Sequence, residues 1–562
     1  MNRPKRKDIE VCLTAATWCG AICLLMTTRV RADCPVPVHG WTETLHTQTG
    51  HSDAWTVART NDGGVIMGGH YAGTVDLDPT GGVLLSTSAG YIDAYVTRLS
   101  ADGSHVWTVI YGGKSTDSVA DLVIDSANNV LLFGSFESTT IDLDPGPGQD
   151  IHALVGDTHD AYLTKLSADG EFIWGRTIAG PGYIAPVEMT LAPSGDIFLV
   201  GFFDGTLDFD PTAGVDEHTS ISGTGGYDVF VTKLTADADY VWTRTFAAPV
   251  ETAYGYGVAV DSQGNAYVLG AFTGRQDFDP GPGVDMHTSN GNFDGFVVKS
   301  DSDGSFIWAR TFGGPDYDMD YGGDIALDPA GDVIVTSGFR QMVDFDPTAG
   351  VDERTAIGDQ DLFMLKLHSD GSYGGAQTIG GVGALVDPQA IRIDTDGNRF
   401  ITGGFRSAVD FDPGPGVDLR TPQGDFDMFL AQFGPSGEYR WTITLGSNSF
   451  YDWGRRLALD ESGSNVYLVG YFGGPIDFDF GPGTDIHVPG GNLDGFITRI
   501  RCGPTSDLDS DGDVDLTDFG LLAGCLTGPD VPPATSCASA DQDADGDLDL
   551  RDVAIFESAF TG

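Results

Sequence analysis

Two stretches near the end of the 562-residue chain carry the residue types and spacing best suited to chemistry. DLDSDGDVDLTD runs from Asp507 to Asp518, and DQDADGDLDLRD from Asp541 to Asp552. Carboxylates at positions one, three, five, nine and twelve can surround a hard cation, a carbonyl at seven adds a ligand, and glycine at six permits the sharp turn. In the first loop the side chains are Asp507, Asp509, Asp511, Asp515 and Asp518, with Asp513 giving the carbonyl and Gly512 the turn. In the second they are Asp541, Asp543, Asp545, Asp549 and Asp552, with Asp547 and Gly546 in the same two roles. The expected ligand is Ca²⁺, about two ions in all. An acidic disordered tail would have to place two complete loops in register by accident, and the apolar faces FGLLAGCL and VAIFESAF after them argue for helices instead.

A second set of acidic motifs recurs earlier in the chain. DFDPGPGVD begins at Asp277 and Asp410, DLDPGPGQD at Asp142, DFDPTAGVD at Asp208 and Asp344, and DFDFGPGTD at Asp477. Carboxylates at positions one, three and nine could converge on a cation. The simpler reading is that aspartate caps these turns while proline sets φ and glycine supplies positive φ, and it is preferred here. His152, His218, His287 and His487 stand near the end of four of these motifs and read as a repeated solvent-facing position in preference to metal ligands. No Gly-x-Ser-x-Gly elbow, phosphate-binding loop, HExxH helix or CxxC pair occurs, so the chain is expected not to be an enzyme.

The elements that carry these motifs follow a period of roughly 66 to 69 residues. An Asp-apolar-Asp string starts at Asp76, Asp142, Asp208, Asp277, Asp344, Asp410 and Asp477. An Asp-x-aromatic string starts at Asp93, Asp160, Asp228, Asp294, Asp361, Asp427 and Asp494. Each period holds four alternating or β-rich segments between turn signals, as in IALD, DVIVTSGF, DLFMLKL and FIWARTFGG. Seven four-stranded units predict an all-β fold, a seven-bladed β-propeller, because radial closure protects the sheet edges. The fourth-strand tryptophan stands at Trp107, Trp174, Trp242, Trp308 and Trp441, is replaced by Gly375 in one unit, and has no counterpart after Asp494. The strand around Trp41 should therefore complete the last blade and close the ring.

The quoted repeats resemble the bacterial β-propeller repeat family of secreted proteins, over roughly residues 41–501. That resemblance implies the fold and no particular reaction. The paired loop-then-helix units from about residue 507 to 562 resemble a type I dockerin, since each loop ends in Asp and the first follows closely on Gly503-Pro504 with no room for an entering helix. This resemblance implies calcium-dependent attachment to a cohesin-like partner on an extracellular assembly or cell surface. It places partner contacts near loop positions ten and eleven, here Leu516, Thr517, Leu550 and Arg551. The expected function is a secreted interaction scaffold. The alternative is a component of polysaccharide breakdown, either a glycan-active enzyme or a lectin-like glycan binder.

Composition and the first residues bound the partners. With 82 acidic against 29 basic residues and a net charge of -53, the chain would repel nucleic acid and anionic membrane surfaces. Basic residues Arg3 to Lys7, the apolar run Val11 to Met26 and Val30-Arg31-Ala32 read as a signal peptide over residues 1–32, too short for a membrane span, so the mature chain is expected to be secreted. The domains expected are then the propeller over 33–501 and a dockerin-like module over 502–562. Four cysteines remain, Cys34, Cys502, Cys525 and Cys537, and the domain layout favours Cys34 with Cys502 and Cys525 with Cys537 among three connectivities.

Overall fold

The computed structural model describes residues 36–503, apart from 157, 223–224, 247–250, 316–322, 450, 461 and 482. The signal peptide, Cys34, Cys525, Cys537, both calcium loops and Leu516, Thr517, Leu550 and Arg551 lie outside the described residues. Every regular element among the described residues is a β-strand.

Seven antiparallel sheets of four main strands follow one another along the chain. Their first strands are His46–Arg59, Asp117–Ile124, Tyr183–Leu191, Ala253–Val260, Asp324–Leu327, Leu385–Ile393 and Trp453–Leu459. Each of these touches the next, and the seventh touches the first, so they form the wall of a central channel. The sheets are therefore blades 1 to 7 of a propeller, as the two seven-fold aspartate markers predict. Seven hydrophobic clusters fill the space between them, each shared by two consecutive blades. Alternation explains this: one side of each strand faces the preceding blade and the other the following one, so the third strands, such as DAYLTKL, are buried along their whole length.

The ring closes as the tryptophan count predicts. Blade 7 consists of Trp453–Leu459, Asn465–Phe472, Asp494–Gly503 and, from the opposite end of the chain, Val36–Thr44. Val36 lies opposite Gly503, Thr42 opposite Thr498 and Thr44 opposite Phe496. The last strand runs to Gly503, so Cys502 sits within the sheet, opposite Pro37, just beyond the boundary expected at 501.

The fourth-strand tryptophans join neighbouring blades. Trp107, Trp242 and Trp308 each donate an indole N–H to a turn carbonyl of the next blade, at 3.0, 3.2 and 3.3 Å. Their rings cover the glycine of that turn; at Gly304, where φ is +76°, an added Cβ would stand 2.9 Å from the Trp242 ring. Trp41 covers Gly103 of blade 1 in the same way. Where Gly375 replaces tryptophan, Gln377 two residues on donates to the Gly437 carbonyl at 3.1 Å and keeps a polar link.

Replacing Trp242 with alanine removes ring packing and an inter-blade hydrogen bond together, and should destabilise the propeller by about 3–5 kcal/mol in denaturant unfolding. Gly304→Ala should destabilise in the same direction, because it strains φ and pushes on the same ring.

Candidate functional site

The recurrent acidic motifs form hairpins between the second and third strands, and their carboxylates are spent on the chain itself. In blade 2, Asp142 accepts the amide N–H groups of Asp144 and Asp150 at 3.1 and 2.8 Å, and Asp144 accepts that of Gly146 at 2.8 Å. Blades 3 to 7 repeat the first pair of bonds from Asp208, Asp277, Asp344, Asp410 and Asp477. The ninth-position aspartate is held by a side chain two residues later: Asp150 by His152 at 3.1 Å, Asp216 by His218 at 2.9 Å, Asp285 by His287 at 3.3 Å and Asp485 by His487 at 3.1 Å. In blades 5 and 6 Arg354 and Arg420 take over that role. The other imidazole nitrogen of each histidine meets a threonine, Thr177, Thr245, Thr311 or Thr44. These motifs cap turns, as the preferred reading holds.

The aspartate that opens each third strand is a second structural device. Asp93, Asp160, Asp228, Asp294, Asp361, Asp427 and Asp494 each accept an amide N–H from the loop before them, at 2.6–3.0 Å. All seven are buried, and burial raises the pKa of every one, pushing Asp160 and Asp294 up to about 6.

The channel holds what the repeat does not predict. In six blades the first strand is bulged at one register, and the extra residues are Trp55, Ala120, Val187, Tyr256, Gln389 and Arg455. A bulge re-aims a side chain, and all six line a cavity of about 260 Å³ at the mouth where the first strands begin. One residue deeper, Thr56, Asp121, Glu188, Gly257, Asp324, Ala390 and Arg456 form a level of mixed chemistry.

Carboxylates at this deeper level tie the inner strands of blades 1 to 4 in sequence and those of blades 5 and 6 to each other. Asp121 accepts the Thr56 hydroxyl at 2.7 Å and the Met189 amide at 2.9 Å. Glu188 accepts the Val258 amide at 3.0 Å, and Asp324 the Ile391 amide at 2.9 Å. Asp324 also takes an ion pair from Arg392 at 2.7 Å. Burial, reinforced by Asp324, pushes the Glu188 carboxyl well above the ordinary carboxylate range. Burial also raises Asp121, against the pull of Arg456. Burial opposes the charge on Arg392, but Asp324 and the other carboxyls outweigh it and raise its pKa. Below this level the channel widens again to about 570 Å³.

The mouth is aromatic and cationic. The Arg455 guanidinium lies 4.2 Å from the Trp55 ring centroid and 5.3 Å from Tyr471. It donates to Gln389 Oε1 at 2.9 Å and to the Tyr471 hydroxyl at 3.3 Å. Nearby, Asp53 and His70 pair at 3.0 Å. Burial works against both charges, yet each holds the other, lowering the Asp53 pKa and raising that of His70. From Tyr256 a run of half-buried rings leads outward over blades 4 and 3. Tyr254 stacks on Tyr256 at 6.3 Å, Tyr227 lies 5.6 Å from Tyr254, and Tyr183 lies 5.6 Å from Tyr227.

Of the sequence-derived site residues, only Cys502 lies among the described residues; the calcium loops and partner positions lie outside them. No group of three or more His, Cys, Asp or Glu suited to a metal occurs among the described residues. The mouth and the ionic level escape sequence reasoning because their residue types change from blade to blade. Aligning the seven first strands and asking where the repeat breaks would have found both.

Residues 241–271 match a model of the beta-propeller repeat. Over 467 residues the chain is 21% identical to an uncharacterized WD repeat-containing protein of Acanthamoeba polyphaga mimivirus, covering 72% of this chain and 33% of that protein. Over 363 residues it is 25% identical to the regulatory protein FlaEY of Caulobacter vibrioides, covering 61% of this chain and 36% of that one. It thus spans about a third of the length of the curated relatives it matches. Similar solved structures include a protein of unknown function from Dyadobacter fermentans, at 10% identity, 83% of this chain, 99% of that chain and TM-score 0.37. The Dos1 propeller is similar at 9% identity, 83% of this chain, 96% of that chain and TM-score 0.38.

The raised carboxyls give a pH dependence with a definite sign. Each binds its proton more tightly folded than unfolded, so its stabilisation is complete below the unfolded value near 4 and is lost as pH rises through the folded value, which for Asp160 and Asp294 is about 6. The thermal unfolding midpoint should therefore fall between pH 4.5 and pH 7, and Asp160→Asn should flatten that fall.

Proposed function

We propose that this chain is an exported interaction scaffold: the propeller presents a binding face, and the acidic C-terminal segment binds about two calcium ions and attaches the protein to a cohesin-like partner. The observation that carries this reading is the pair of twelve-residue aspartate loops, Asp507 to Asp518 and Asp541 to Asp552, each with glycine at position six. A small module with little core of its own gains its stability from the ions it binds, so calcium acts as a folding switch for attachment.

Several features of the propeller support the scaffold half of the reading. Trp55 and Tyr256 are among the residues lining the channel mouth, and aromatic residues are enriched where proteins bind partners. The hairpin tips expose valine in five blades, at Val83, Val215, Val284, Val351 and Val417. Export is supported by the basic and apolar leader and by Cys502, which is buried in the closing blade and which we propose pairs in an oxidising compartment. Cys34, three residues before Pro37, is its proposed partner.

The second reading, a lectin-like glycan binder, is favoured by one observation, the run of ring faces from Tyr256 to Tyr183.

Calorimetric titration of calcium into metal-free protein tests attachment. The comparison sets residues 33–562 against 33–503, because the closing strand needs Gly503. About two sites, confined to the longer chain, are expected. Sites in the shorter chain would move calcium to the hairpins, and none in either would refute the calcium module.

A further inference from the structure

We propose that Glu43 is a proton-operated latch on ring closure: the N-terminal strand holds blade 7 shut most firmly when Glu43 is protonated and loosens when it ionises. The inference goes beyond the scaffold reading and needs neither calcium nor a partner.

Register marks the residue out. Glu43 stands two residues after Trp41, and the same place in the other six outer strands holds Val109, Arg176, Arg244, Arg310, Gln377 and Ile443. In blades 3, 4 and 5 that residue ties its strand to the next blade. Arg244 donates to the Gly304 carbonyl at 2.8 Å, Arg310 to the Gly371 carbonyl at 2.7 Å and Gln377 to the Gly437 carbonyl at 3.1 Å. The closing blade alone carries a carboxyl there. An ionised carboxylate has no hydrogen to donate, whereas the protonated acid has one. Glu43 is half-buried, lies opposite Ile497, and makes no hydrogen bond or ion pair among the described residues.

The charges that bear on it are negative. Asp485, from the hairpin of blade 7, and Asp78, from the hairpin of blade 1, act on Glu43 from the two blades that the seam joins. Histidines hold both aspartates: His39 and His487 pair with Asp485 at 3.2 and 3.1 Å, and His105 meets Asp78 at 3.6 Å. A histidine offsets an aspartate only while protonated, so rising pH adds to the repulsion on Glu43 and never relieves it. Arg499 of the paired strand, opposite Trp41, is turned to Asn465 at 2.9 Å and to the Ala101 carbonyl at 3.2 Å. Burial first, then Asp485 and Asp78, push the Glu43 carboxyl up to about 7.

The sign follows from that direction. A carboxyl held above its unfolded value near 4.3 stabilises the folded strand fully below that value, and the contribution is lost as pH rises through about 7. Three carboxylates then share the seam. Asp78 and Asp485 sit on hairpins bound within their own blades, while the strand that carries Glu43 is an outer strand, paired along one edge only. It is the element that yields.

The test is hydrogen exchange of the full-length protein at about pH 5.5 and about pH 8.5, with calcium held constant and each rate divided by the intrinsic rate at that pH. Protection of residues 36–44 is read against that of Tyr439–Leu445, the outer strand of blade 6, where Ile443 holds the register of Glu43. The ratio should fall by about ten-fold or more between the two conditions, and Glu43→Gln should keep it level to within about two-fold. If Glu43→Gln does not fold, Glu43→Ile replaces it, since blade 6 carries isoleucine at that place. A ratio that does not change in the wild-type protein overturns the proposal. A fall that persists in the Glu43 variant also overturns it and moves the pH response to the histidines of the hairpins.

Discussion

Eight residue pairs, from Val36 opposite Gly503 to Thr44 opposite Phe496, turn an open row of sheets into a ring. Everything else in the structure depends on that seam. An open array would expose two sheet edges and leave one side of its first and last blades without a partner. With the seam made, the Leu45 to Val75 side of blade 1 shares a hydrophobic cluster with Tyr467, Val469 and Ile497 of blade 7. Hydrogen bonds reinforce it, from the Thr42 hydroxyl to Thr498 at 2.9 Å and from the Thr47 amide to Asp494 at 3.3 Å. Residues more than 440 positions apart thereby become neighbours, and the loop entropy of joining them is offset once for the whole ring.

A closed ring of near-identical blades separates two kinds of position. Repeated positions build the frame: the third-strand aspartates accept loop amides in all seven blades, and tryptophans or their substitutes bridge each blade to the next. Unrepeated positions cluster around the channel, where seven first strands bring one residue each to the same level. There the chain places Asp121, Glu188, Asp324 and Arg456, with Arg392 reaching Asp324 from two residues beyond Ala390, and the pairing of these groups makes burial tolerable. The overall acidity lies elsewhere, on hairpins and turns in contact with water, where carboxylates cost little.

This division explains how much the sequence could say. Blade number, strand order and the closing strand at Trp41 were all legible, because they rest on periodic features: Asp93 and its six counterparts, or a tryptophan missing after Asp494. The hairpin aspartates were legible only in part. Asp142, Asp144 and Asp150 have spacing compatible with either a cation or a capped turn, and only the backbone geometry decides that their oxygens meet amides. The mouth was not legible at all. Trp55, Tyr256, Gln389 and Arg455 lie about 66 to 400 residues apart, share no residue type, and meet only because one bulge recurs at the same register in six of the seven blades.

Hydrogen exchange of the intact protein, read peptide by peptide, tests the central claim that the N-terminal strand closes the ring. If it does, the amides of 36–44 should be as slow to exchange as those of Phe306–Phe312, the matching outer strand of blade 4. Exchange of 36–44 at the rate of an unpaired strand, with blade 4 still protected, would contradict closure.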